Sequence, residues 1–394
     1  MSEKPKVSAG VWSKSFTILL LSNMALNMGM QMSNSLLSIF ADHLGAGAAL
    51  IGFIISSFAI SSILFRFIAA PVMDTYNRKY LIIIAAFAMS AAFWGYSIST
   101  NVTMLICFRL LQGCAMVFGN ACCLAMVADI LPKEKYNAGL GYFSLIMLVC
   151  MAVAPSIGIE LVKLTGFRVI YTLAACLMLL AGILACFFKS DFKRTKKFKM
   201  SLSNIIAREA LIPASLQLLV IFAISCTTAF LYLFAADRNV TGNIGLYFTV
   251  SAATMLLTRP VIGRLTDRFG MVKVSVPAMI LGVGSFFIIS ISNSLASFLV
   301  ASIISAVGQG AYSPAIQALT MKAVTTDRRG VAGSTNFIAQ DVGAMIGSII
   351  AGQLVQLSGY VVMWRVMAVA YAIAVFILIF FRRRITRIEE EFAA

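Results

Sequence analysis

Along the 394 residues, apolar runs of about twenty residues alternate with short polar breaks. About twelve such runs begin near Phe16, Leu50, Tyr80, Thr103, Gly139, Val169, Leu211, Ile244, Val272, Ala296, Gly330 and Val362. At about 1.5 Å per helical residue, each can cross the ~30 Å hydrocarbon core of a bilayer. The runs lack the ten-residue alternation of an outer-membrane barrel, so the pattern predicts an all-α membrane protein with twelve transmembrane helices. One break is longer than the rest. KSDFKRTKKFKMSLSNIIARE, Lys189 to Glu209, is basic, polar and too short to fold alone. It predicts a linker over 189–210, between one six-helix bundle at 1–188 and another at 211–394.

Two of the breaks share a device. RFIAAPVMDTYNRK, Arg66 to Lys79, sets an arginine in an apolar run and an aspartate eight residues later, and RPVIGRLTDRFGMVK, Arg259 to Lys273, repeats it 193 residues on. Ala138, Gly139, Phe143 and Gly158 return as Ala332, Gly333, Phe337 and Gly352 at an offset of 194. Half-length repeats of this kind build many transporters, with the substrate held between the halves near the midplane. The tight connection calls for a left-handed residue, supplied by Gly270 in the second copy and expected of Asn77 in the first. Asp74 and Asp267, at helix ends, can accept hydrogen bonds from the free amides of a neighbouring helix start. Arg66 and Arg259 lie about two turns before their aspartates; each either pairs with a neighbour or snorkels, and snorkelling or packing ranks above substrate contact.

Composition agrees: 60% hydrophobic and 12% charged residues, with mean hydropathy +0.94, leave too little polar surface for a water-soluble globule. The net charge of +16 is one-sided. With the amino terminus inside, 24 of the 31 Lys and Arg fall in cytoplasmic segments, four in outer loops, and Arg66, Arg109 and Arg259 in helices. The positive-inside rule then puts both termini in the cytoplasm. A nucleic-acid partner is not expected, because the loops lack interleaved aromatics. The first apolar run is too long for a signal-peptide core and is expected to stay. All eight cysteines fall in predicted helices without metal spacing, so they read as packing residues; no metal and no cofactor is expected.

A few polar residues interrupt the apolar runs. Asn23, Asn27, Gln31 and Asn34 share one face of the first helix and should line a water-filled cavity or a helix contact, because amides facing lipid are costly. Met24, Met28, Met30 and Met32 lie among them and suit either varied apolar ligands or plain packing. Arg109, deep in the fourth helix, must find a carboxylate, carbonyls or water inside the bundle; Gln112 follows by one turn and Gly113 admits a close neighbour. Helix 10 repeats part of this with Gly308, Gln309, Gly310 and Tyr312. Two acids sit well within helices, Glu160 near an outer end and Asp341 about three turns inside its helix. Asp341 is the better proton carrier, with a structural partnership to a basic residue as the alternative; His43 is expected at the surface.

GRLTDRFG at 263–270 matches the G-x-x-x-D-R-x-G loop signature, and the chain resembles the major facilitator superfamily over its whole length. APVMDTYNRK reads as a degraded copy, with Ala70 for the first glycine and Thr75 for the arginine. FRLLQG, Phe108 to Gly113, is similar to the R-x-x-Q-G signature of that superfamily. Gly141, Ala154, Pro155 and Gly158 look like a weakened antiporter G-P-x-x-G pattern, with Cys150 and Ala154 where glycine is usual. Among subfamilies the likeness is to twelve-helix drug:proton antiporters and bacterial efflux permeases. The resemblance implies that Asp74, Arg78 and Asp129, with Gly263, Asp267, Arg268 and Gly270 in the second copy, latch the cytoplasmic side when the outside is open. It implies a monomeric secondary transporter of the bacterial cytoplasmic membrane, exporting small amphipathic molecules against protons through Arg109, Gln112, Asp341 and Glu160, with Asn23, Asn27, Gln31, Asn34, Gln309 and Tyr312 about the cavity. The first helix lacks the carboxylate of several such antiporters. Uptake or exchange of an organic anion or sugar is the alternative. ATP-driven transport is excluded, since no G-x-x-x-x-G-K-[ST] loop occurs. A membrane-embedded enzyme lacks a convergent nucleophile or metal cluster, and a sensor would usually append a signalling domain.

Overall fold

The computed structural model describes residues 12–131, 136–187, 206–325 and 328–393. The described chain is helical: α1 (Lys14–Asn34), α2 (Leu37–His43), α3 (Ala48–Thr75), α4 (Arg78–Ile98), α5 (Val102–Ile130), α6 (Tyr136–Phe187), α7 (Leu211–Asp237), α8 (Leu246–Phe269), α9 (Met271–Ile291), α10 (Leu295–Lys322), α11 (Arg329–Phe380) and α12 (Arg382–Ala393). Ten of the predicted apolar runs begin within three residues of the start of α1, α3 to α6 or α7 to α11. The runs predicted from Val169 and Val362 instead continue α6 and α11, which break at Gly166 (φ 79, ψ 170) and Gly359 (φ 79, ψ 171). Positive φ is cheap only for a residue without Cβ, so these glycines let two helices meet end to end. Among the described residues, nine helices are long and apolar enough to cross a membrane: α3 to α11.

One local expectation needs correction. Asn77 is not left-handed: at φ −65 and ψ 119 it is extended, and its side chain accepts a hydrogen bond from the Lys79 amide at 3.0 Å. Asn caps helix N-termini well, so α4 starts by capping where α9 starts at Gly270, φ 83. The segment after Phe381 is a helix, α12, with Ile385 fully buried and Ile388 packed on the core; Glu389 Oε2 accepts from the Met271 amide at the start of α9, 3.4 Å away. The short α2 was not anticipated, and His43 ends it, exposed beside the Phe167 ring. Of the linker, 189–205 lies outside the described residues.

With little hydrophobic force between helices in lipid, packing sets the assembly. In the first half of the chain α1 lies on α6, α4 on α5 and α6, and α3 on α5; in the second, α7 lies on α11, α9 on α10 and α11, and α8 on α10. Two seams join these groups, α3 with α11 and α6 with α8. Both are tight at one end. Gly52 lies against the Ser348 carbonyl and Gly352 against that of Ala48, while Gln356 Oε1 accepts from the Ala49 amide at 3.3 Å. Ser156 and Thr249 hydroxyls meet at 2.9 Å, and Asn243 Nδ2 donates to the Ser156 carbonyl at 3.1 Å. Toward the other end the α6–α8 seam parts: Leu145 and Val149 on α6, and Leu256 and Arg259 on α8, are exposed.

Candidate functional site

Arg109 is buried, 6% exposed, yet among the described residues it has no carboxylate partner. Its Nη1 donates to Asn34 Oδ1 and to Gln112 Oε1, both at 2.7 Å. Gln112 Nε2 donates to the same Asn34 oxygen at 3.3 Å, and the Tyr96 hydroxyl donates to Gln112 Oε1 at 2.7 Å. The guanidinium lies 4.9 Å from the centre of the Phe58 ring, a cation–π arrangement. Gly113 makes this corner possible, because a Cβ there would run into Ser61 Oγ and the Phe58 carbonyl on α3. Helices α1, α3, α4 and α5 therefore converge on one positive charge solvated by neutral groups. Among the described residues, Arg109 Nε has no hydrogen-bond partner. Sequence had named Arg109, Gln112 and Asn34 but not Tyr96, which carries no spacing signal of its own.

The second centre lies on the α3–α11 seam. Asp341 Oδ2 accepts from Arg66 Nη2 at 2.6 Å, from Arg66 Nε at 3.0 Å and from the Ser62 hydroxyl at 2.9 Å. Arg66 Nη2 also donates to Ser62 Oγ at 3.2 Å, and its guanidinium lies 5.1 Å from the Phe337 ring centre. Of the two alternatives open to Arg66, pairing or snorkelling, it pairs, with an acid on α11. The signal was available in retrospect: Ser62 and Arg66 are one turn apart on α3, and Phe337 and Asp341 are one turn apart on α11.

Other candidates scatter. Asn23 and Asn27 are buried, and Asn27 Nδ2 donates to the Asn23 carbonyl and side-chain oxygens at 2.9 and 3.0 Å. Asn27 also edges a small gap among α1, α4 and α5 with Leu26, Met30, Met89, Met116 and Gly119. Gln31 is half-buried. Gln309 donates to Ser305 Oγ at 3.2 Å, and Tyr312, buried, meets Tyr371 edge to face. Pro155 lies inside α6, and Gly158 brings α6 against Met32 of α1. Glu160 does not join the interior: it is half exposed and pairs with Lys163 one turn on, at 3.1 Å.

Of the expected latch, the Asp74 and Asp129 side chains lie outside the described residues; their backbones sit in the last turns of α3 and α5. Arg78 opens α4. Asp267 is exposed and, among the described residues, has no hydrogen-bond partner; Arg268 is exposed over the Phe269 ring, and Gly263 borders open space. Asp267 and Arg268 thus lie exposed at the end of α8 where the α6–α8 seam is parted. No cluster of three His, Cys, Asp or Glu among the described residues forms a metal site, and the eight cysteines are free thiols.

Comparison with known proteins places this geometry. The family model described as Major Facilitator Superfamily matches residues 19–241 and 213–393. The chain is 28% identical to the multi-drug resistance efflux pump PmrA of Streptococcus pneumoniae serotype 4, over 87% of this chain and 90% of that one. It is 25% identical to multidrug resistance protein 1 of Bacillus subtilis, covering 77% and 80%. Among solved structures, a peptide transporter POT in complex with sulfate superposes with TM-score 0.83 at 13% identity, covering 97% of each chain. The nucleoside transporter NupG superposes with TM-score 0.77 at 14% identity, covering 93% and 98%. The chain belongs to the major facilitator superfamily: it is an all-helical, multi-pass membrane transporter and not an enzyme.

Proposed function

We propose that the protein is a proton-coupled exporter of small amphipathic molecules that works by alternating access between two six-helix halves, 1–188 and 211–394. The observation that carries this reading is the Arg66–Asp341 pair, a charge-assisted contact between the halves at membrane depth. Protonation of Asp341 would remove the charge that holds Arg66 and so loosen the α3–α11 seam. Proton binding and the choice between conformations are then one equilibrium.

The nine long helices, two of them broken at glycine, together with α1 support twelve crossings. An even number returns the carboxyl terminus to the side of the amino terminus, and the cation bias makes that side the cytoplasm. The tight seam ends are then extracellular, the parted ends cytoplasmic, and Asp267 is disengaged as a latch should be in a cytoplasm-open state. Export of amphipathic cargo is supported by the names of the efflux relatives.

Purified protein in lipid vesicles with an imposed pH gradient, screened against dyes, antibiotics, sugars and organic anions, tests the reading. Dyes or antibiotics should accumulate in vesicles that are acidic inside. Movement of sugars alone would overturn it.

A further inference from the structure

We propose that Arg259 binds a negatively charged group of the transported solute, so that the cargo is an amphipathic anion; this deepens the exporter reading and rests on it. The repeat that puts Arg66 in α3 puts Arg259 in α8, nine and ten residues before the helix ends at the parted side. The partners were not repeated with it. Asp341 corresponds, at the offset of 194, to Met147 on α6, and Ser62 corresponds, at 193, to Met255. Arg66 is therefore neutralised across its seam, whereas Arg259 is exposed and, among the described residues, has no hydrogen bond, ion pair or ring contact.

Helix geometry aims Arg259 inward. On α8, Thr249 meets Ser156 of α6, while Met255, Thr258 and Ile262 face Gly310 of α10. At about 100° per residue, Arg259 falls on the arc between these two contacts. The opposite arc carries Leu257 and Val261, 76% and 57% exposed, as residues facing lipid should be. Arg259 thus looks into the fissure between the halves, where α6 and α8 part.

The charge balance there is uneven. Of the described charges well inside the helices, Asp341 offsets Arg66, while Arg109 has only neutral partners and Arg259 has none. Cations at membrane depth are costly without a counter-charge, and a carboxylate or sulfonate on the solute supplies one; the planar fork of Arg259 suits such a group.

The test uses the full chain in lipid nanodiscs and two dyes sharing one fluorophore, anionic dansylglycine and cationic dansylcadaverine. Wild type should bind dansylglycine more tightly. Arg259→Gln should weaken dansylglycine about ten-fold or more, the worth of a charge-assisted contact, and leave dansylcadaverine unchanged, while Arg259→Lys keeps most of the affinity. Unaltered dansylglycine affinity in Arg259→Gln, equal loss of both dyes, or a wild type that prefers the cation would overturn the proposal. Failure of every solute to move under a pH gradient would instead sink the exporter reading, and the binding comparison does not depend on that outcome.

Discussion

Removing either partner of the Arg66–Asp341 pair should shift the protein away from the conformation described here. Three donor contacts converge on one Asp341 oxygen, and the two side chains are 19% and 15% exposed. Exposed pairs contribute about 0–1 kcal/mol, and breaking a fully buried pair costs about 3–5 kcal/mol. At this intermediate depth the coupling should be about 2 kcal/mol, equivalent to about a 30-fold change in the balance of two states. Asp341→Asn, Arg66→Gln and the double variant form a cycle in which the double costs less than the sum of the singles. Paired spectroscopic labels at Leu145 on α6 and Gly263 on α8, both bordering open space at the parted end, report the populations. A coupling below about 0.5 kcal/mol would refute the claim that this pair holds the α3–α11 seam, because independent sites already scatter that much.

Arg109→Ala should abolish coupled transport while the protein still inserts, and Arg109→Lys should recover it only in part, since an ammonium cannot meet Asn34, Gln112 and the Phe58 face in one plane; initial rates in vesicles check both. Gly113→Val should lower thermal stability by about 1–3 kcal/mol through its clash with Ser61 and Phe58, whereas Gly141→Ala, where a Cβ meets nothing within 4 Å, should escape that clash in the same melting assay. Glu389→Gln should cost about 0.3–1 kcal/mol by weakening the contact at the start of α9, read as faster proteolysis of α12.

Much of the architecture is legible because a bilayer imposes a simple rule: a run of apolar residues must satisfy its own backbone and becomes a helix. Hence the near agreement of predicted and observed helix starts. What sequence could not supply is rotation and pairing across elements. Asp341 was recognisable as an interior acid, but its partner was not, because Arg66 lies 275 positions away and meets it only through the α3–α11 crossing. Glu160, read as lying near an outer end, is indeed half exposed there, beside Lys163. Asn77 was misjudged because Asn serves two purposes near a turn, a left-handed residue or a cap, and only the backbone decides. The α12 helix was not foreseen, because its many charges mask the face that carries buried Ile385.

The central claim, that Asp341 couples proton movement to transport, is tested most directly in vesicles loaded acidic, with wild type and Asp341→Asn compared for the uphill accumulation of a dye and for its downhill exchange. The account predicts that wild type does both, while Asp341→Asn, fixed in the neutral form, keeps downhill exchange and loses accumulation. Undiminished uphill accumulation by Asp341→Asn would contradict it.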